Sequence, residues 1–121
     1  MDAVPFQIES ESVGENLRVI GVHGELDLGT APEFEAALNS ATTDPDSRVV
    51  VDMAGCGFVD STGIALIINA WRKVEGTDDS SGRLVLCNVG EQVARLFEVT
   101  GLTGQIDIAD DRDTAIGIAG N

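Results

Sequence analysis

The chain has 121 residues, enough for one domain with its own hydrophobic core and too few for two of ordinary size. Its 21 Asp and Glu outnumber 7 Lys and Arg, the net charge is −14, and no basic run faces a phosphate backbone or an anionic bilayer. Nucleic-acid and membrane-surface binding are therefore not expected; the acidity serves solubility or draws in a basic partner face.

Phe6 to Ser12 alternates apolar with polar residues and reads as an edge strand. Ser12 to Asn16 is a turn, and Leu17 to His23 a second strand that closes an antiparallel hairpin. After Gly24-Glu25-Leu26-Asp27, Thr30 is placed to cap a helix with Pro32 and Glu33 in its first turn and an apolar stripe of Phe34, Ala37, Leu38 and Ala41. Thr43 to Ser47 has turn chemistry. Arg48 to Met53 holds Val49-Val50-Val51, the mark of a strand covered on both faces.

A glycine-containing loop leads to Asp60-Ser61-Thr62-Gly63, where capping residues open a second helix with Ile64, Ile67, Ile68 and Trp71 at helical spacing. Gly76 to Gly82 reads as a loop, and Leu84-Val85-Leu86 as a buried strand. Val93, Leu96 and Phe97 mark a third helix that stops near Gly101. Ile106 to Ile108 reads as a short strand, and Asp113 is placed to cap a last helix through Ile118. The expectation is a single α/β domain over 1–121. Its sheet is mixed and mostly parallel, with an N-terminal β-hairpin and about four helices.

Catalytic motifs are weak. Gly55-Cys56-Gly57 lacks the third glycine of a dinucleotide turn, and Asp60 at that place would repel a pyrophosphate. No cofactor is expected, and the segment reads as a flexible connection. Ser61 lies outside a G-x-S-x-G elbow, and the one histidine, His23, precedes it, against the hydrolase order. Cys56 and Cys87 form no CxxC pair, so no metal site is expected and both read as small core residues. Met1 to Glu11 has no signal-peptide pattern and no stretch is long enough to span a bilayer, which makes the cytoplasm the expected location. Asp60 to Gly63 supports two uses: a plain helix cap, or an exposed serine at the C-terminal edge of a parallel strand, where a helix N-terminus tolerates a phosphate.

Three motifs then join in order. Gly24-Glu25-Leu26-Asp27, Phe58-Val59-Asp60-Ser61-Thr62-Gly63-Ile64 and Arg95-Leu96-Phe97-Glu98-Val99-Thr100-Gly101-Leu102 resemble the signatures of the STAS-domain anti-sigma factor antagonists of bacteria, over nearly the whole chain. The resemblance implies a non-enzymatic switch. The unphosphorylated protein binds an anti-sigma factor, a serine kinase of histidine-kinase-like ATPase fold, and frees a sigma factor. Phosphorylation of Ser61 ends that binding, and a serine phosphatase restores it. Asp27, Asp60, Ser61, Thr62 and Gly63 are the implied partner-binding residues, and the free protein is expected to be a monomer. Two other readings stay open: a STAS scaffold or transporter-associated module that is not phosphorylated, and a small serine hydrolase acting through Ser61. The longer, acidic Gly76 to Gly82 segment and the glycine-rich Gly55 to Gly57 segment depart from the family pattern.

Overall fold

The computed structural model describes residues 5–14, 16–44, 46–75, 81–99 and 105–120. The elements in chain order are β1 (Gln7–Val13), β2 (Leu17–Leu26), α1 (Ala31–Ala41), β3 (Arg48–Val59), α2 (Ser61–Glu75), β4 (Arg83–Cys87), α3 (Glu91–Val99), β5 (Asp107–Ala109) and α4 (Arg112–Ala119). The strands lie in the order β1-β2-β3-β4-β5. β1 runs antiparallel to β2, with Val13 opposite Leu17; every other pair is parallel. The expected α/β class, mixed sheet and N-terminal hairpin are all present.

Side-chain alternation sorts the strand residues into two apolar layers. Ile20, Val22 and Leu26 of β2, Val49, Val51 and Met53 of β3, and Leu84 and Leu86 of β4 meet Phe34, Leu38, Ile64, Ile67, Val74 and Phe97 from α1, α2 and α3. Leu17, Val19, Val50, Val85 and Cys87 point the other way, onto Ala115 and Ala119 of α4. The Val49-Val50-Val51 run is buried because both faces of β3 are covered, as expected.

Four local expectations need correcting. Gly55-Cys56-Gly57 is not a loop: β3 continues through it to Val59 and pairs with β2, which itself runs past His23 to Leu26. The pairing is irregular between Gly21 and His23 and between Gly24 and Glu25, and Gly24 takes φ +92°, a conformation suited to glycine. Thr30 makes no side-chain cap to α1. The cap of α4 is Asp111, whose carboxylate accepts from Thr114 N–H at 2.8 Å, while Asp113 sits in the first turn. The last strand is Asp107–Ala109, one residue later than expected. Gly76 to Ser80 and the Gly101 stop lie outside the described residues.

Two polar anchors join the layers. The buried Asp52 carboxylate accepts from Arg112 Nε at 2.8 Å, Asn88 Nδ2 at 2.9 Å and Ala54 N–H at 3.0 Å, so β3 is tied to α4. Burial pushes the Asp52 pKa up, but these donors outweigh it and hold the group below the usual carboxylate range. Glu75, at the end of α2, accepts from Leu84 N–H at 2.8 Å, beyond the reach of β5, which pairs only with Val85, Leu86 and Cys87. Burial, helped by the nearby Asp107 carboxylate, raises the Glu75 pKa.

A raised carboxyl pKa contributes stability below the unfolded value of about 4.3 that is lost as pH climbs through the folded pKa. Glu75→Gln keeps an acceptor for Leu84 without the charge. Its melting temperature is expected to be flatter with pH than that of the wild type, with the variant gaining on the wild type as pH rises above about 4.3. Thermal melts across that range check it.

Candidate functional site

β2 and β3 end together, with Leu26 opposite Val59. Asp27 and Asp60 therefore leave neighbouring strand ends, about 5 Å apart at ordinary strand spacing. Asp60 N–H donates to the Leu26 carbonyl at 3.0 Å, which extends the strand pairing by one residue. This brings together the two segments that the sequence motifs single out.

The first turn of α2 is capped by Asp60, not by Ser61. Asp60 Oδ1 accepts from Thr62 N–H at 2.9 Å and Gly63 N–H at 3.2 Å, and Ile64 N–H donates to the Asp60 carbonyl at 3.2 Å. These are the positions an N-cap carboxylate serves. Ser61 is thus the first helical residue, its side chain is exposed, and its hydroxyl bonds to no described residue. Asp60→Ala is expected to cost about 1 kcal/mol, with Asp60→Ser recovering most of it; denaturant unfolding of the two variants measures both.

Thr62 is half-buried and Gly63 fully buried. A Cβ on Gly63 would lie 2.7 Å from Leu26 Cδ2 and 2.9 Å from Val59 Cγ1, so α2 rests directly on the two strand ends. Asp27 organises the loop that leaves the β2 end. Its Oδ1 accepts from Gly29 N–H at 2.9 Å and Thr30 N–H at 3.1 Å. Thr30 Oγ1 accepts from Asp27 N–H at 2.9 Å and donates to the Glu25 carbonyl at 2.8 Å. The threonine expected to cap α1 instead locks the 27–30 loop. Beside this loop lies a groove of about 370 Å³ lined by Phe6, Gly24, Glu25, Asp27, Thr30, Gly55 and Gly57.

His23, the one histidine, does not join this edge. His23 pairs with Gly55, four residues before the end of β3, or about 13 Å back along the strand from the Ser61 edge. Its ring lies over Gly55, with Nε2 3.4 Å from Glu9 Oε2. It is not in reach to take a proton from Ser61. Burial raises the Cys56 thiol pKa and, with Asp52 alongside, pushes that of Cys87 to about 12, so neither is an activated nucleophile. Among the described residues no helix is long and apolar enough to cross a membrane.

A mixed five-stranded sheet with helices on both faces is the α/β architecture of a STAS domain. The STAS domain family model matches residues 8–115, and the chain belongs to that family. The anti-sigma-B factor antagonist of Staphylococcus aureus strain NCTC 8325 is 32% identical over 83 residues, which covers 69% of this chain and 74% of that protein. An anti-sigma factor antagonist from Mycobacterium paratuberculosis superimposes with a TM-score of 0.77 at 21% identity, over 98% of this chain and 96% of the other. The Bacillus cell fate determinant SpoIIAA in its phosphorylated form does so with a TM-score of 0.73 at 24% identity, over 93% and 98%. These two superpositions bear on the fold.

Proposed function

We propose that this chain is an anti-sigma factor antagonist whose binding is switched by phosphorylation of Ser61. The observation that carries this is the division of labour in the first turn of α2. Asp60 caps the helix, which leaves the Ser61 hydroxyl exposed and bonded to no described residue. A phosphate there is compatible with the positive end of a 15-residue helix, so the fold survives the modification. The similarity to the staphylococcal antagonist supports the same reading.

In this reading the partner is a serine kinase of histidine-kinase-like ATPase fold that holds a sigma factor. The unphosphorylated chain docks through the edge formed by Asp27, Asp60, Ser61, Thr62 and Gly63, and releases that sigma factor. The kinase then transfers the γ-phosphoryl group of ATP to Ser61 Oγ, leaving ADP and a proton, and the modified chain dissociates. A serine phosphatase hydrolyses the phosphoester and restores binding. The role is regulatory and non-enzymatic, and the setting is the cytoplasm.

The test is incubation with ATP and each purified anti-sigma kinase of the source organism, followed by mass spectrometry. One phosphate on Ser61, absent from Ser61→Ala, is the expected outcome. Binding without any phosphate on Ser61 would leave an antagonist but remove the switch.

A further inference from the structure

Four large apolar side chains are exposed among the described residues, and two of them, Leu28 and Phe58, belong to the strand ends beside Ser61. Leu28 is 74% exposed. An exposed leucine by itself signifies little. What sets Leu28 apart is how firmly it is held. It stands between Asp27 and Gly29, in a loop whose amides at 27, 29 and 30 are all bonded to side-chain oxygens within the loop. Ala31 N–H also donates to the Asp27 carbonyl at 2.8 Å, and Thr30 Oγ1 ties the loop back to Glu25. An apolar group on a rigid mount loses little entropy on docking, which is what an anchor residue needs.

The mount is coupled to the switch. Asp60 N–H is bonded to Leu26, two residues before Leu28, and Gly63 packs on the Leu26 side chain. The surroundings are acidic, with Glu25, Asp27 and Asp60 on the same edge of a chain with net charge −14. A complementary surface therefore carries an apolar recess with cations around it.

We propose that Leu28 is the anchor of this edge, inserting into an apolar pocket of the anti-sigma partner whose rim carries Lys or Arg side chains. The inference rests on the anti-sigma reading above.

The experiment is calorimetric titration of wild type, Leu28→Ser and Leu28→Met into each purified anti-sigma factor of the source organism, with melting curves of all three. Leu28→Ser is expected to bind at least about tenfold more weakly. Leu28→Met keeps the apolar volume and is expected to stay within about threefold. All three melt together, because the side chain is exposed. Equal affinity of wild type and Leu28→Ser overturns the anchor and leaves the anti-sigma reading standing. Failure of the wild type to bind any of these factors overturns both.

Discussion

Phosphorylated Ser61 is expected to bind the proposed anti-sigma partner about a thousandfold more weakly than the free hydroxyl, and Ser61→Asp about thirtyfold more weakly. The difference follows from charge. A phosphoserine carries about −1.5 to −2 near neutral pH, whereas an aspartate carries about half of that. An interface fitted to a hydroxyl would enclose that charge beside Asp60, with Asp27 on the next strand end. Breaking complementarity at a desolvated charge costs about 2–5 kcal/mol, so about 4 kcal/mol for the dianion and half of that for the carboxylate are consistent magnitudes.

The fold does not share this penalty. Ser61 is exposed in the first turn of α2, where a negative charge favours the helix by about 0.3–1 kcal/mol. Ser61→Asp is thus expected to melt no lower than wild type while losing affinity, and Ser61→Ala to keep both. Calorimetric titration at two salt concentrations adds a check. A charge enclosed in an interface is screened little, so most of the Ser61→Asp deficit should persist at high ionic strength. A deficit accompanied by a lower melting temperature would mean that the substitution damages the fold.

The sequence made the layers legible because their signal is local. Val49-Val50-Val51 and Leu84-Val85-Leu86 are unbroken apolar runs, and only a strand covered on both faces buries every residue of such a run. The glycines at 55 and 57 misled for the opposite reason. Their local preference is for a loop, but the strand is fixed by pairing with β2, a contact some thirty residues away in the chain. A side chain at Gly55 would have to displace the His23 ring, which lies where its Cβ would be.

The candidate site was legible in part. The residues Asp27, Asp60 and Ser61 were identified by motif, and parallel pairing of β2 and β3 accounts for their adjacency. Which of several capping residues does the capping was not legible. Asp60, Ser61 and Thr62 all have the right oxygen, and Thr30 has it for α1. Backbone geometry chooses among them: Thr30 already has a helical conformation, so its hydroxyl turns back to Glu25. Leu28 carried no signal at all, because exposure is a property of the folded loop.

Gly63 gives the second large effect, and it separates two explanations for a glycine after Asp-Ser-Thr. Gly63 lies inside α2 and does not have a positive φ, so conformational freedom is not what it supplies. On propensity alone Gly63→Ala should stabilise the helix by about 0.5–1 kcal/mol. The packing opposes this. The new Cβ would stand 2.7 Å from Leu26 Cδ2, 2.8 Å from Leu26 Cγ and 2.9 Å from Val59 Cγ1, and neither neighbour has room to yield, being 0% and 2% exposed. Overpacking of this kind costs about 1–3 kcal/mol.

The packing term wins, and Gly63→Ala is expected to lower stability by about 1–2 kcal/mol and the melting temperature by roughly 5 °C. It should also weaken partner binding, since relieving the clash moves the first turn of α2, and Ser61 with it, off the Leu26 strand end. Leu26→Ala in the same chain tests the cause. It removes the two Leu26 atoms that the new methyl strikes and leaves only Val59 Cγ1, so the double variant should be more stable than the sum of the single losses predicts. Additive losses would show that the clash is not what glycine avoids at this position. Non-additive losses would show that the first turn of α2, and Ser61 with it, is placed by the Leu26 side chain from β2, which would make Leu26 part of the proposed switch.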